Sequence, residues 1–337
     1  MKRLLYIGNQ LNHKQSTVTS IDVLGPLLES EGYQLRYASP KIHKWLRLLD
    51  MLRAVYANRK WSDFVLIDTY STLNFYYAFA VSQLCRMSQL KYIPILHGGD
   101  LPKRLKSHPK MCWAIFKPAY VNIAPSEYTA SLFRTLGYTH IKCIPNSIRL
   151  AHYPFKQRSY EAIHLLWVRS FADIYNPLLA IDILKTLQDH GVKASLSMVG
   201  PDRDGTLQKA RAHAKTLGVT VNFTGKLSKS DWIALSQTHN VFINTTNIDN
   251  MPVSVIEAMA LGLVVISTNV GGLPYLISHQ ETGILVPPNR VQGFVEGIEQ
   301  IQSHPERANE MIKKARAQVE QYDWNVVRKQ WNSVLQP

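Results

Sequence analysis

The sequence predicts an α/β protein made of two doubly wound, Rossmann-like domains facing a cleft. Three observations point there. The chain has 337 residues, more than one hydrophobic core usually fills. Hydrophobic residues make up 46% and charged residues 18%, the balance of a folded globular protein. Short apolar runs alternate with longer segments of helical spacing almost from end to end, as in parallel strands joined by crossover helices.

In the first half the apolar runs fall at Arg3–Ile7, Gln34–Ala38, 64–68, Tyr92–Leu96, 121–124 and 141–144. Helical spacing fills 16–31, 73–86 and 126–136, with Gly32 and Gly137 where a helix C-cap belongs. The second half repeats the plan, with strands expected at Ile163–Val168, Ala194–Val199, 220–223, Val241–Asn244, 264–267 and Ile284–Val286. Asn176 and Pro177 read as an N-cap followed by a proline at the first helical position, and Gly191 ends that helix. The stretch 145–157, PNSIRLAHYPFKQ, holds two prolines and no clear period. It places one domain at 1–153 and a second at 154–318. Residues 319–337, carrying Trp324 and Trp331, are expected to pack back on the first domain.

Composition narrows the class further. No apolar run approaches the roughly 18 to 20 residues that span a bilayer. The opening MKRLLYIGNQ has an apolar stretch of about five residues, too short for a secretory signal, so the expected compartment is the cytoplasm. Cys85, Cys112 and Cys143 are sparse and unpaired in sequence, which argues against a disulfide framework or a structural zinc; small buried apolar residues are expected instead. The net charge of +14 is uneven: residues 1–155 carry 20 Lys and Arg against 8 Asp and Glu, and residues 156–337 carry 18 against 16. The first half therefore suits an anionic partner. Residues 41–60, KIHKWLRLLDMLRAVYANRK, hold six basic residues and one Asp, with Trp45, Leu48, Leu49, Leu52, Val55 and Tyr56 on one helical face. Such a helix can lie on an anionic membrane surface, with Lys103, Arg104 and Lys106 adding to the patch. The other reading is an ordinary helix packed on its sheet with solvated lysines. No nucleic-acid-binding module is recognisable.

Ligands of doubly wound sheets bind at the carboxyl ends of strands, so residues just past strands are the candidates. The segment 244–272 has the richest set. A strand ends near Asn244, a polar loop follows, and Pro252 opens a helix that stops at Gly262. Backbone N–H groups at that start, around 252–255, are placed to bind an anion. Glu257 lies in an Ala- and Met-rich helix, where a buried carboxylate needs partners, and ribose hydroxyls are good ones. Gly271 and Gly272 mark a close backbone or ligand approach. Arg169, just past the strand ending at Val168, can hold a diphosphate bidentately. Gly8 ends the first strand ahead of Asn9, Gln10, Asn12, His13 and Lys14, a loop with one glycine, which disfavours a nicotinamide dehydrogenase.

This segment resembles the signature of the group 1 (retaining) glycosyltransferases of GT-B fold: an acid, Gly-x-Pro, then Glu-Ala-Met-Ala-x-Gly, with the acids eight positions apart. Asp249 and Glu257 have that spacing, with Asp249 where glutamate is usual and Asn250 where glycine is usual. Pro145-Asn146-Ser147-Ile148, Gly271 to Pro274 and Gly283 to Pro287 also match turns of that family. The resemblance implies that Glu257 binds the nucleotide ribose and that Asp249 meets the hydroxyls of the donor sugar. The amides of Asn250, Met251, Pro252 and Val253 would meet sugar and phosphate. It implies a diphosphate role for Arg169, a sugar contact for His97 at the end of the strand Tyr92–Leu96, and an acceptor and diphosphate approach at Gly8. The family's usual second cation, a lysine shortly after Arg169, is missing from 169–177, and the helix start at Pro177 with Asn176 is expected to stand in.

The implied activity is retaining transfer of a hexose-type sugar from a UDP- or GDP-sugar to a glycan or lipid-linked acceptor of the cell envelope, peripheral to the inner face of the cytoplasmic membrane. Arg169, Asp249 and His97 are the catalytic candidates. No cofactor is implied and, with no Asp-x-Asp motif, no metal. Two readings compete: a non-catalytic sugar-nucleotide or glycan-binding homologue, separated by donor hydrolysis and transfer assays, and another GT-B enzyme such as an epimerase or phosphorylase, which the Glu-Ala-Met-Ala run suits less well.

Overall fold

The computed structural model describes residues 2–11, 19–97 and 99–336. Of the loop expected after Gly8, residues Asn12, His13 and Lys14 lie outside the described residues, as do Ser16 to Val18 of the expected first helix and Gly98.

The chain divides into two compact units, residues 1–146 with 324–337, and residues 147–323. The sequence reading puts the first division later, at 153/154, and the second earlier, at 318/319. The stretch 147–153 belongs to the second unit because Ile148 and Tyr153 are buried in its core and Ile148 N–H donates to Tyr322 O (3.0 Å).

The first unit holds β1 (Arg3–Ile7), β2 (Gln34–Ala38), β3 (Phe64–Thr69), β4 (Tyr92–Leu96), β5 (Asn122–Ala124) and β6 (Ile141–Cys143) in one parallel sheet of order β2-β1-β3-β4-β5-β6. Both faces are covered. Leu4 and Tyr6 of β1 enter one core and Leu5 and Ile7 the other, the alternation that a strand imposes. The C-terminal helix Trp324–Leu335 closes the first of these cores with Trp324, Val327, Trp331 and Leu335. Trp324 Nε1 also donates to Glu31 (3.0 Å), so the indole is buried without orphaning its N–H.

The second unit holds β7 (Ile163–Val168), β8 (Ala194–Val199), β9 (Asn222–Gly225), β10 (Val241–Asn244), β11 (Val264–Thr268) and β12 (Ile284–Val286), again parallel, in the order β12-β11-β10-β7-β8-β9. Parallel strands buried on both faces read as unbroken apolar runs, which is why their positions are legible in the sequence. Pro177 opens the helix Pro177–Asp189 as expected, but Asn176 does not cap it. Its backbone is left-handed (φ 47°, ψ 59°) and makes no side-chain cap bond; its amide donates instead to Asn289 Oδ1 (2.8 Å).

Candidate functional site

In a doubly wound sheet the crevice opens where the strand order reverses. In the second unit that point lies between β7 and β10, which are hydrogen-bonded neighbours although two strands separate them in sequence. Arg169 leaves β7 there, and the loop 245–252 leaves β10. The Arg169 backbone is fixed: its N–H donates to Val199 O (3.0 Å), and a Cβ at Gly200 would lie 1.7 Å from its carbonyl oxygen. Only glycine lets the chain pass so close.

The Arg169 guanidinium pairs through Nη2 with Asp249 Oδ2 and lies 5.0 Å from the Tyr175 ring centroid. Its Nε is buried without a hydrogen-bond partner among the described residues. Asp249 Oδ1 accepts from the Asn250 N–H (2.9 Å). Two residues expected at different parts of a ligand thus form one ion pair. The glycine pair expected to mark a close approach does so against this loop. A Cβ at Gly271 would meet Asp249 O at 2.0 Å, and one at Gly272 would meet Asn250 O at 1.9 Å, while Gly272 N–H donates to Asp249 O (3.0 Å).

The helix Val253–Ala260 begins with Pro252 at its N-cap. Of the amides expected to bind an anion around 252–255 and to meet the donor over 250–253, three do not qualify. Pro252 has no N–H, Asn250 gives its own to Asp249, and Val255 gives its own to Pro252 O (3.1 Å). The first-turn groups that remain belong to Val253 and Ser254. Val253 is exposed and Ser254 Oγ is buried with no partner among the described residues. Asn250, Met251 and Pro252 are buried, and Met251 packs into the core.

Glu257 is 3% exposed. Its Oε1 accepts from Tyr153 OH (2.6 Å) and pairs with the ammonium of Lys229. The Lys229 side chain is itself half exposed and lies 5.7 Å from the Trp232 ring centroid. Burial, then the Glu257 charge, push the Tyr153 phenol well above its ordinary pKa, so Tyr153 donates throughout the working range. Neither residue stands out in the sequence. Tyr153 lies in the unpatterned stretch after the first unit, and Lys229 follows Ser228, the N-cap of the helix Lys229–Ser236. A second cation is therefore present beside Glu257, but far in sequence from 169–177.

The first unit gathers a different set at its own switch point, between β1 and β3. Asp68 is buried. Its Oδ1 accepts from Tyr6 OH (2.9 Å) and meets His97 Nε2 (2.9 Å), while Oδ2 has no partner among the described residues. Gly8 leaves room for it: a Cβ there would lie 2.7 Å from Asp68 Oδ2. Burial, then the Asp68 charge, raise the Tyr6 phenol well above its ordinary pKa. A small cavity lined by Gly8, Asn9, Asp68, Asn74 and Tyr77 adjoins. Gly8 and His97 are thus joined through Asp68. The signal for Asp68 was available: it is the acid near the end of an otherwise apolar strand.

A family model described as "Glycosyl transferases group 1" matches residues 154–318. An uncharacterized glycosyltransferase of Haemophilus influenzae is 27% identical over 142 residues, 42% of this chain and 40% of that protein. The match therefore spans less than half of the relative's length. Among solved structures, sucrose-phosphate synthase from Thermosynechococcus elongatus superposes with a TM-score of 0.83 at 17% identity, covering 99% of this chain and 98% of that one. HepE of Anabaena, solved in complex with UDP-glucose, superposes with a TM-score of 0.81 at 16% identity, covering 99% of both chains. At those identities the likeness establishes the fold.

Proposed function

From the match of residues 154–318 to the group 1 glycosyl transferases, we propose that the chain is a retaining, metal-independent hexosyltransferase of that family. It takes a UDP- or GDP-sugar as donor and a glycan or lipid-linked glycan as acceptor. What carries the reading is the convergence of Arg169, Asp249, the start of the helix Val253–Ala260 and buried Glu257 around one strand reversal. A buried carboxylate held by a phenol and an ammonium is an acceptor ready for ribose hydroxyls. A cation beside a helix N-terminus suits a diphosphate.

In this reaction the bond from the anomeric carbon to the diphosphate oxygen breaks and a bond to the acceptor oxygen forms on the same face. The acceptor proton passes to the departing phosphate. Negative charge grows on the leaving group, and fixed donors aimed at it lower the barrier. Arg169 and the amides of Val253 and Ser254 take that role. Asp249 orients the guanidinium in the free protein and turns to the sugar hydroxyls when the diphosphate engages Arg169. The Asn176 and Gly8 contacts and the His97 contact with a sugar hydroxyl belong to the same proposal. HepE holds UDP-glucose, which makes it the first donor to try.

The test begins with thermal shifts against UDP and GDP, since a ligand at 100 times its Kd stabilises a fold by about 2.7 kcal/mol. It continues with donor and acceptor pairs followed by NMR of the new linkage. Retained anomeric configuration is expected. An inverted product sinks the mechanism, and binding without hydrolysis or transfer hands the chain to the non-catalytic reading.

A further inference from the structure

The helix Lys44–Asn58 does not turn its most apolar side inward. Arg47, Met51, Val55 and Asn58 are buried, and Leu48 and Leu52 are half-buried. Trp45, Leu46, Leu49 and Tyr56 face solvent, with Trp45 73% and Leu49 61% exposed. The single face read from the sequence is therefore split. At about 100° per residue, Trp45, Tyr56, Leu49, Arg53 and Leu46 fall within an arc of about 100°. Ile42, just ahead of the helix, is exposed too. Single exposed apolar side chains are ordinary on a protein surface; a stripe of five is not.

Cations frame the stripe. Lys41, Lys44, Arg53 and Lys60 are exposed and Arg59 is half-buried, against one acid, Asp50. Arg47 is not among them: it is 8% exposed. Its Nε donates to Lys41 O (2.7 Å), Nη2 to Ile42 O (2.8 Å) and Nη1 to Asn9 Oδ1 (3.2 Å). Tyr77 OH donates to Lys44 O (3.1 Å). These bonds hold the turn that presents Lys41, Ile42, Lys44 and Trp45, so little ordering is left to pay for on docking. Arg104 also drops out of the patch: its Nε donates to Ser71 O (2.7 Å) and its guanidinium lies 5.3 Å from both Phe75 and Tyr76 ring centroids.

We propose that this face docks on an anionic lipid bilayer. Trp45, Leu46, Leu49 and Ile42 enter the headgroup boundary, and Lys41, Lys44, Arg53 and Lys60 meet lipid phosphates. Charge complementarity selects the bilayer over a second copy of the chain, whose same face would bring like cations together. No helix among the described residues is long and apolar enough to cross a membrane, so the attachment proposed is one that lies on the surface. The inference rests on this helix alone, apart from the donor chemistry.

Co-sedimentation of the full chain with phosphatidylglycerol–phosphatidylcholine vesicles, and with phosphatidylcholine alone, tests it. Salt-sensitive binding to the anionic vesicles is expected. Trp45→Ser with Leu49→Ser should lose about tenfold per side chain, and Lys41→Gln with Lys44→Gln about fivefold per charge. Both double variants should melt as the wild type does, since all four side chains are exposed. A wild type that stays in the supernatant overturns the proposal. So does an apolar double variant that binds undiminished, which would mean adsorption by charge alone. A dimer that becomes a monomer in that variant, without vesicle binding, would assign the face to a second copy.

Discussion

Both units collect polar side chains at the carboxyl ends of strands beside a switch point, yet they satisfy them by opposite means. In the second unit each candidate carboxylate has a cation: Asp249 with Arg169 and Glu257 with Lys229. In the first unit Asp68 has a phenol and an imidazole, and one oxygen without a partner among the described residues. A paired carboxylate can trade its cation for a ligand and remain compensated. A buried carboxylate with an unused oxygen has nothing to trade and a bond to give. On the proposed reading, the second unit exchanges partners with an anion, and the first accepts one more donor, such as a hydroxyl.

Breaking the second unit's pairing should have the largest effect. Arg169→Ala is expected to slow transfer by about a hundred- to a thousandfold, the range for removing one charge-stabilising donor. A variant turning over at the wild-type rate removes Arg169 from the mechanism. Glu257→Gln comes next. It keeps the shape but gives up charge-assisted acceptance, worth about 1.5–3 kcal/mol, so nucleotide affinity measured by calorimetry should fall by about ten- to a hundredfold. If affinity is unchanged, the carboxylate serves only Tyr153 and Lys229.

Asp68→Ala sharpens the other side of the comparison. It strands the Tyr6 hydroxyl and His97 in a buried setting, at a cost of about 1–3 kcal/mol in denaturant unfolding. Asp68→Asn should recover most of that stability while leaving transfer impaired if His97 needs the carboxylate to fix its ring. Full recovery of both would make Asp68 a packing residue.

The smallest effect concerns pH. His239 in the second unit is buried, and burial lowers its pKa below the ordinary 6.5, a backbone bond to Leu235 opposing. The unfolded imidazole binds a proton more readily than the folded one, so the unfolded state gains protons as pH falls. Stability from this group is complete above about pH 6.5 and declines below it. His239→Gln should flatten that part of the stability–pH curve. An unchanged slope would place the acid sensitivity elsewhere.

Much of this was legible beforehand, for identifiable reasons. Strands such as Arg3–Ile7 and Ala194–Val199 announce themselves because a parallel sheet buried on both faces admits few polar residues. Gly271 and Gly272 were legible as a close approach because a glycine doublet after a strand marks one, but that the loop 249–250 is what approaches them was not. The contacts of Glu257 were not. Tyr153 lies 104 residues away and Lys229 28 away, and no local period encodes such meetings. The helix at 44–58 was only half legible for a related reason: hydrophobic spacing records which side chains share a face, not how much of that face the sheet takes.

The sequence by itself determined the alternation of strands and helices and which loops follow strands, because these follow from local propensity and periodicity, and it carried the acid pair eight residues apart as a family resemblance. The tertiary structure alone decided that Arg169 meets Asp249, that Glu257 is held by Tyr153 and Lys229, that Asp68 links Gly8 to His97, and that Arg47 points inward while Trp45 points out. Those are choices among long-range packings, and only the closed core, with its demand that each buried charge find a partner, makes them.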